Sequence, residues 1–526
     1  MGHPDGPGGE RGGPRARQLG LVLAPLFFVV LLWAPGIPLD PVQRRVAAIT
    51  AATAVLWITV AIPVGAASLL PAVRFPLLGV MSAKQTAPLY MQDLVLLFIG
   101  AFVIALGLER WGVHRRMALW IIARVGTSQR RLVLGFMCAA AFLSLWINNT
   151  ATTLLMLPIA MAVLERVEGQ GTRVSPFGLC LLLGVAYSAS VGGMGTPVGT
   201  APNQILLGQI DLRYPQGPRI TFAQWFLGWG PLVVLFVPLA WLCLTRLVFR
   251  IGPGDALGPD VIQEERRLQG PLTRPQVLMS AVFALTALLW VTRADIVIGS
   301  WRVPGWSRLF LGPQASDPAW YAQHKNDISD ATVASLMAVL CFFLPGERGE
   351  RGERSHLMDW RTASRLPWEV ILLLGAGFCI ARGFDVSHLD ERLGEALTPI
   401  LQGHPDWVVV GGVALFMSLL TEVTSNTATT AVLLPVIGAA GVRAGLNPLL
   451  VMVPATIAAS AAFMMPVATP PNAVVFASRR VPVPQMVRAG MWLNLLTVAL
   501  ITLVFQLWVR RVWDIGAALP DWARPD

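Results

Sequence analysis

Long apolar stretches alternate with short polar, arginine-rich segments over almost the whole of this sequence. Many of the stretches reach the length of about 20 residues that an α-helix needs to cross the hydrocarbon core of a bilayer. They predict helices near residues 19–34, 46–63, 65–81, 91–108, 223–249, 276–293, 330–345, 368–384 and 486–509. The pattern therefore indicates an all-α, polytopic membrane protein.

Four further apolar stretches carry an interruption. Residues 132–166 contain two asparagines and a threonine in mid-stretch, and residues 406–440 are interrupted around Ser425. A helix broken in this way suits a re-entrant hairpin better than a simple span. Residues 176–208 are also interrupted, and residues 448–478 are broken by a Thr-Pro-Pro sequence. We expect about eleven transmembrane helices and two re-entrant helical hairpins.

Composition and charge agree with this topology. The chain is 55% hydrophobic and 13% charged, whereas a soluble protein carries about a quarter charged residues. With a cytoplasmic N-terminus, the arginine-rich loops 109–131, 250–275 and 346–367 all fall inside, as the positive-inside rule requires. The longer loop 294–329 and the C-terminus then lie outside. The formal net charge of +10 is thus interpreted as a consequence of membrane orientation rather than of nucleic-acid binding. The basic stretch 109–131 suits a helix on the cytoplasmic surface.

The two halves of the chain share short polar motifs. Residues 148–153 read NNTATT and residues 425–430 read SNTATT, at an offset of 277 residues. Residues 199–203 (GTAPN) match residues 468–472 (ATPPN) at an offset of 269. With the first hairpin entering from inside and the second from outside, these blocks predict inverted-topology repeats, a common architecture of secondary transporters.

The shared motifs also predict a binding site. Polar clusters at membrane depth are costly unless they line a cavity. Asn149, Thr150, Asn426 and Thr427 stand where a helix N-cap stands, next to backbone N–H groups that attract an anion. Side-chain oxygens and free carbonyls at the breaks can bind sodium. Glu422 is interpreted as a buried hydrogen-bond acceptor or hairpin-mouth carboxylate, with a proton or cation ligand as the alternative.

The chain is predicted to divide into six segments. They are a disordered N-terminal tail (1–18), scaffold helices (19–90), a first repeat (91–250, hairpin about 132–166), a linker with two connecting helices (251–367), a second repeat (368–510, hairpin about 406–440) and a C-terminal tail (511–526).

Other functions remain open from the residues alone. A single Ser-Asn-Thr sequence in a helix is most often a helix–helix hydrogen-bond contact, but duplication with matching partner motifs argues against that interpretation. A membrane-embedded enzyme would need a nucleophile with a base, or a metal cluster. The polar mid-membrane residues are instead neutral hydroxyls and amides, which suit reversible binding. A channel would be unusual for inverted repeats with hairpins.

The sequence resembles the divalent anion:sodium symporter family over nearly everything after residue 20. The resemblance is carried by residues 97–116, 148–153, 192–203, 421–435 and 465–472. It implies a homodimer in which a transport domain moves against a scaffold domain like an elevator. It also implies sodium-coupled uptake of C4-dicarboxylates, citrate or sulfate without a cofactor, although some members of the family exchange dicarboxylates without net sodium coupling.

The resemblance further implies which residues form the site. Sodium ligands would be Ser144, Asn148, Asn149 and Gly199 in the first half, and Thr421, Ser425, Asn426 and Ala468 in the second. Substrate contacts would be Asn149, Thr150, Thr200, Asn426, Thr427, Thr469 and Pro470. The family's first motif usually begins with Ser, where this chain has Asn148, so the geometry of the first sodium site is expected to differ.

Overall fold

The computed structural model describes residues 14–126, 128–168, 175–252, 260–298, 301–317, 320–321, 324–325, 327–348 and 354–524. Helices of the first part of the chain are α1 (Pro14–Trp33), α2 (Pro41–Thr59), α3 (Val64–Ala67), α4 (Leu70–Leu77), α5 (Ala83–Thr86), α6 (Asp93–Arg110), α7 (Val113–Val125), α8 (Gln129–Ser144), α9 (Asn149–Glu168), α10 (Pro176–Gly192) and α11 (Ala201–Arg213).

The middle and the second half continue in the same way. They contain α12 (Phe222–Leu242, extended by a π-helical turn Cys243–Val248), α13 (Asp260–Leu268), α14 (Arg274–Thr292), α15 (Ser307–Leu311), α16 (Asp330–Phe343), α17 (Trp360–Ala363), α18 (Trp368–Ser387), α19 (Leu389–Leu401), α20 (Asp406–Thr421), α21 (Asn426–Arg443), α22 (Pro448–Ala459), α23 (Pro470–Ala477), α24 (Val483–Val504, extended by a π-helical turn Phe505–Val509) and α25 (Arg510–Val512).

In the described part of the chain, two short antiparallel strand pairs lie between the helices. Strand β1 (Ile296–Ile298) pairs with β2 (Trp301–Val303), and β3 (Pro345–Arg348) pairs with β4 (Arg354–His356). Both pairs lie in loops between predicted spans. They are small additions to the predicted helical fold.

Within the described part of the chain, eight helical segments are long and apolar enough to cross a membrane. They are Arg15–Trp33, Ala83–Arg110, Asn149–Glu168, Pro176–Gly195, Phe222–Val248, Arg274–Thr292, Trp368–Ser387 and Val483–Val512. Shorter apolar helices accompany them, including α16, α20 and α22. The prediction of a helical, multi-pass membrane protein is confirmed.

The single span predicted over residues 65–81 is wrong. The chain there forms two short helices, α3 and α4, separated at Ser68. Pro71 has no N–H to bond the carbonyl of Ala67, so a continuous helix would lose a backbone hydrogen bond at this point. Ser68 is also bound from outside: the Tyr90 hydroxyl donates to its carbonyl at 2.6 Å, and the Trp57 indole donates to its hydroxyl at 3.0 Å. Hydropathy alone cannot show these contacts.

Among the described residues, two helices of nine or more residues had not been predicted. Helix α13 lies in the arginine-rich 250–275 loop, and α19 directly follows α18. Arg213 of α11 forms a buried ion pair with Asp390 of α19. The guanidinium of Arg213 also lies 3.3 Å from the carboxylate of Asp385 in α18. This pairing fastens the end of α11 to α18 and α19. The predicted surface stretch 109–131 does contain a helix, α7. Of the predicted N-terminal tail, residues 1–13 lie outside the described residues, and α1 begins at Pro14.

Corresponding helices of the two halves pack in corresponding ways. In the first half α8 packs against α10, and in the second half α20 packs against α22. Helices α10 and α22 are apolar on all sides and buried along their length, so they form the centre of the bundle. A Cβ on Gly192 would lie 2.4 Å from the carbonyl oxygen of Ala141, so only glycine permits this close approach of α10 to α8.

The two halves also contact each other through their broken helices. Helix α9 packs against α23, and α11 packs against α21. Each hairpin's second helix therefore lies beside the short helix of the opposite half. These contacts bring the N-termini of α9, α11, α21 and α23, which are far apart in the sequence, into one region.

Candidate functional site

The first hairpin breaks between α8 and α9 at a capped turn. The Asn148 side-chain oxygen accepts a hydrogen bond from the backbone N–H of Ala151 at 2.8 Å, so Asn148 caps α9. The Ser144 hydroxyl donates to the Asn149 side-chain oxygen at 2.6 Å. The Thr153 hydroxyl donates to the Asn149 carbonyl at 2.8 Å. These contacts hold the polar turn in one conformation at the start of α9.

The second hairpin has a similar turn with a different hydrogen-bond pattern. The Thr430 hydroxyl donates to the Asn426 carbonyl at 2.7 Å, matching Thr153 and Asn149. Ser425 stands at the N-cap of α21, but its side chain makes no capping hydrogen bond with the described residues. The side-chain oxygen of Asn426 is buried and has no partner among them. A buried oxygen without a hydrogen-bond partner costs free energy. A ligand that contacts the Asn426 oxygen would remove this cost, so the atom is a candidate ligand-binding group.

The partner turn of the first half precedes α11. Thr200, at the N-cap, has an extended backbone (φ −147°, ψ 146°). The amide of buried Asn203 donates to the carbonyls of Gly193 at 3.0 Å and Thr196 at 2.8 Å. These bonds hold the segment between α10 and α11, which begins with a 3-10 turn at Gly193–Gly195, against the start of α11.

The partner turn of the second half repeats this arrangement before α23. Thr469 has nearly the same backbone angles as Thr200 (φ −136°, ψ 147°), and its hydroxyl accepts from the Asn472 N–H at 3.4 Å. The Asn472 amide donates to the carbonyls of Ala462 at 3.2 Å and Met465 at 3.0 Å. Asn203 and Asn472 therefore each donate to the carbonyls 10 and 7 residues before them. The two halves thus share equivalent hydrogen bonds as well as similar sequence motifs.

Glu422 distinguishes the second half from the first. Its carboxylate accepts hydrogen bonds from the backbone N–H groups of Phe463, Met464 and Met465 and from the side chain of Asn494, at distances from 2.6 to 3.0 Å. The residue is 2% exposed. This confirms the interpretation of Glu422 as a buried acceptor, which fixes the unwound chain between α22 and α23.

The position equivalent to Glu422 in the first half is Leu145. There the main chain provides the acceptor: the Leu145 carbonyl accepts from the Thr196 hydroxyl at 2.5 Å. Both halves therefore connect the hairpin turn to the partner turn, by a backbone carbonyl in one case and a carboxylate in the other.

All four turns line one cavity of about 790 Å³, here called the central cavity. Of the predicted site residues, those in contact with it are Asn148, Asn149, Thr150, Gly199, Thr200, Ser425, Asn426, Thr427, Ala468, Thr469 and Pro470. Ser144 and Thr421 lie behind this lining and are fully buried. Ser144 reaches the lining through Asn149, whereas the Thr421 hydroxyl donates to Met417 and Ser418 within its own helix.

Helices α9, α11, α21 and α23 all begin at the central cavity. Each helix N-terminus presents unpaired N–H groups and about half a positive elementary charge. Hydroxyls and amides of the turns add donors and acceptors without adding a formal charge. The arrangement favours a small anion, because four partly positive helix N-termini face one cavity.

Several lining residues had not been predicted. They include Arg17 of α1, Trp57 of α2, Phe98 of α6, and Trp368 and Glu369 of α18. Arg17 and Glu369 are exposed, so they lie where the cavity opens. No local signal in the sequence connects α1 or the start of α18 with the two motifs, since the contact depends on packing between distant segments.

A second cavity of about 560 Å³ adjoins the central cavity and shares four lining residues with it: Phe102, Asn148, Ala151 and Pro367. It is lined by charged residues, among them Glu109, Arg110 and Arg365. Arg110 forms an ion pair at 2.6 Å with Asp359, outside the spanning helices. The Thr362 N–H, and secondarily Arg110, hold the pKa of Asp359 below its usual value. A charged cavity therefore lies directly beside the central cavity.

A multi-pass helical bundle in which two interrupted hairpins and four helix N-termini meet at one cavity has the architecture of a secondary transporter. The family model for the sodium:sulfate symporter transmembrane region matches residues 15–514 of this chain. The chain therefore belongs to the sodium:sulfate symporter family, the divalent anion:sodium symporters. It is a transporter and not an enzyme.

Similar proteins include two named sodium-dependent dicarboxylate transporter SdcS. The protein of Staphylococcus saprophyticus is 35% identical over 514 residues, covering 95% of this chain and 93% of its own length. That of Staphylococcus aureus is 36% identical over 517 residues, with the same coverage of both chains.

Among solved structures, the Alcanivorax borkumensis YdaH transporter aligns with a TM-score of 0.58 at 13% identity, covering 94% of this chain and 99% of its own. Neisseria gonorrhoeae MtrF aligns with a TM-score of 0.55 at 14% identity, covering 97% and 98%. At these identities the likeness concerns the fold alone.

Proposed function

We propose that this protein is a sodium-coupled symporter of small dicarboxylates, with C4-dicarboxylates such as succinate or malate as substrates. The observation that carries the proposal is the central cavity, in which both duplicated motifs and four helix N-termini meet. The SdcS relatives, which are named as sodium-dependent dicarboxylate transporters, support the substrate class and the coupling ion.

The substrate would lie between the two halves. Asn149, Thr150 and Thr200 would contact one carboxylate from the first half. From the second half, Asn426, Thr427 and Thr469 would contact the other, with Pro470 packed beside them. A dianion held only by partial charges would remain poorly neutralised in a medium of low dielectric. Bound sodium ions would supply the missing positive charge.

The second sodium site has the clearer set of free oxygens. Thr421, Ser425, Asn426 and the carbonyl of Ala468 would form it, and the unpaired side-chain oxygen of Asn426 supports a cation there. The Thr421 hydroxyl uses its hydrogen within its own helix, which leaves its lone pairs for an ion.

The first sodium site would use Ser144, Asn148, Asn149 and Gly199. Here the Asn149 side-chain oxygen is already bonded to Ser144, and Asn148 is occupied as a helix cap. For Ser144 and Asn149 to bind the same ion, the Ser144 hydroxyl must turn its hydrogen away. This site would therefore bind sodium more weakly than the second.

Transport would follow an elevator mechanism in a homodimer. The segments 91–250 and 368–510 would supply the inverted repeats, and 19–90 would supply scaffold helices against which the hairpins move. The symmetric contacts of α9 with α23 and of α11 with α21 support a unit that carries the whole site. The chain would lie in the cell membrane with its N-terminus in the cytoplasm and its C-terminus outside.

The test is uptake into proteoliposomes that contain the purified chain. Labelled succinate, malate, citrate and sulfate are each supplied with an inward sodium gradient or with choline in its place. Accumulation of dicarboxylate that requires the sodium gradient is expected. Uptake that ignores sodium but needs dicarboxylate inside the vesicle would instead identify an exchanger, and a preference for sulfate or citrate would overturn the substrate class.

A further inference from the structure

A cleft of about 960 Å³ lies away from the central cavity, between α7, α8, α13 and α14. None of the predicted substrate or sodium residues lines it. We call it the lateral cleft. The lining residues that characterise it are Arg116, Trp120, Phe142, Arg266, Arg267 and Leu272.

One wall of the lateral cleft is apolar and open. Trp120 is 51% exposed, Phe142 38% and Leu272 64%. The guanidinium of Arg124 lies 4.1 Å from the centre of the Trp120 ring. An indole with a cation on its face is typical of the membrane–water interface, where the ring meets acyl chains and the charge meets headgroups. This wall thus suits the upper part of a lipid acyl chain.

The rim of the lateral cleft is cationic. Arg116 is half-buried and donates to the carbonyls of Gln269 and Gly270 at 2.6 and 2.9 Å, while its Nε is buried without a partner among the described residues. Arg266 and Arg267 of α13 are exposed. Three guanidiniums beside an apolar wall give the cleft a net positive charge.

Glu264 and Glu265 of α13 do not neutralise this rim. Glu265 forms an ion pair with Arg115 of α7 at 2.5 Å, and Glu264 forms one with Arg166 of α9 at 3.2 Å. Within the described residues, no carboxylate lies at ion-pair distance from Arg266 or Arg267. Their charges are therefore available to an anionic ligand.

We propose that the lateral cleft binds one anionic phospholipid. Its phosphate lies at the arginine rim, and an acyl chain covers the wall formed by Trp120 and Phe142. Basic pockets between membrane helices hold anionic headgroups in this way. A small dicarboxylate has no chain to cover the apolar wall, so this ligand is distinct from the transported substrate. The proposal does not depend on the transport activity.

The test measures lipid binding to the full-length, delipidated protein in detergent by native mass spectrometry. Phosphatidylglycerol and phosphatidylcholine with identical chains are titrated separately. We expect preferential binding of phosphatidylglycerol. Replacing Arg266 and Arg267 together by Gln is expected to weaken that binding about thirtyfold, since each cation near an anionic headgroup contributes about a factor of five. Phosphatidylcholine binding is expected to stay unchanged.

Two further variants serve as controls. The pair Arg131→Gln and Arg274→Gln removes the same charge from exposed positions on α8 and α14 that do not line the cleft, and it is expected to bind lipid like the unmodified protein. The pair Arg266→Lys and Arg267→Lys keeps the charge and is expected to keep the preference. Melting temperatures verify that each variant is folded.

Three results would overturn the proposal. The first is equal binding of phosphatidylglycerol and phosphatidylcholine by the unmodified protein, a result that requires no variant. The control pair could weaken binding as much as the cleft pair, which would indicate a general surface-charge effect. Glycerol 3-phosphate, which has no acyl chain, could displace the lipid at similar concentration, which would make the cleft a site for a soluble phosphate.

Discussion

Replacing Glu422 by Gln tests the role of the carboxylate that fixes the second partner turn. In the structure one carboxylate oxygen accepts from the N–H groups of Phe463 and Met464, and the other from those of Met464 and Met465. A Gln side chain has the same shape but only one acceptor oxygen. Its NH₂ group would face backbone donors that it cannot satisfy.

The expected cost follows from this count of contacts. Leaving one buried N–H without an acceptor costs about 1–3 kcal/mol, and bonds to a charged acceptor are stronger by about 1 kcal/mol than bonds to a neutral one. Removing a buried charge recovers part of this, because its desolvation is no longer required. We expect a net destabilisation of about 2–4 kcal/mol, concentrated in the chain that leads to Ala468 and Thr469.

The assay compares Glu422→Gln with Glu165→Gln, which changes an exposed carboxylate that has no hydrogen bond to any of the described residues. Unfolding in mixed micelles gives the change in stability, and calorimetry gives the substrate affinity in sodium. The Glu422 variant is expected to unfold earlier and to bind substrate more weakly. The Glu165 variant is expected to match the unmodified protein.

The reasoning would be refuted if both variants had the same stability. A Glu422 variant of normal stability that had lost only its sodium dependence would assign the carboxylate to ion or proton coupling instead. Asn494, which donates to the same carboxylate at 2.6 Å, offers an independent check, because Asn494→Ala leaves the charge in place and is expected to cost less.

Three further outcomes concern the central cavity. Asn149→Ala and Asn426→Ala should each abolish most uptake in proteoliposomes while the protein still folds, because each removes a polar group worth about 1–3 kcal/mol at a helix start; near-normal uptake by both would reject the site. Asn148→Ser should lower the sodium concentration for half-maximal uptake, since a smaller N-cap opens the first ion site; an unchanged value would mean that this position does not limit it. Substrate affinity measured by calorimetry should be higher in sodium than in choline, and by linkage sodium should bind more tightly with substrate present; equal affinities would remove the symporter proposal.

Local signals in the sequence were sufficient for most of the helices. Apolar runs of spanning length predicted α6, α12, α14, α18 and α24, because burial in lipid requires a continuous apolar helix. They failed over residues 65–81, where prolines and contacts to Ser68 divide the run. They also missed α13 and α19, which are too short and too polar to be recognised by hydropathy.

The hairpin turns and their partners could likewise be located from the sequence. An N-cap residue at the start of an apolar run is a local feature, and its repetition in both halves identified Asn149 and Asn426 as members of one site. Glu422 could be recognised as buried, but its three backbone partners could not be identified, since they lie some forty residues further along the chain.

The sequence by itself thus determined the class of protein, most of the membrane-spanning helices and the residues at the four helix starts, because each follows from composition or from neighbours along the chain. Only the tertiary structure decided that α9 lies beside α23 and α11 beside α21, that Arg17 and Trp368 reach the same cavity, and that Asn426 keeps an unpaired oxygen where Asn149 does not. These features depend on packing between segments hundreds of residues apart, and no periodicity of a single sequence records such contacts.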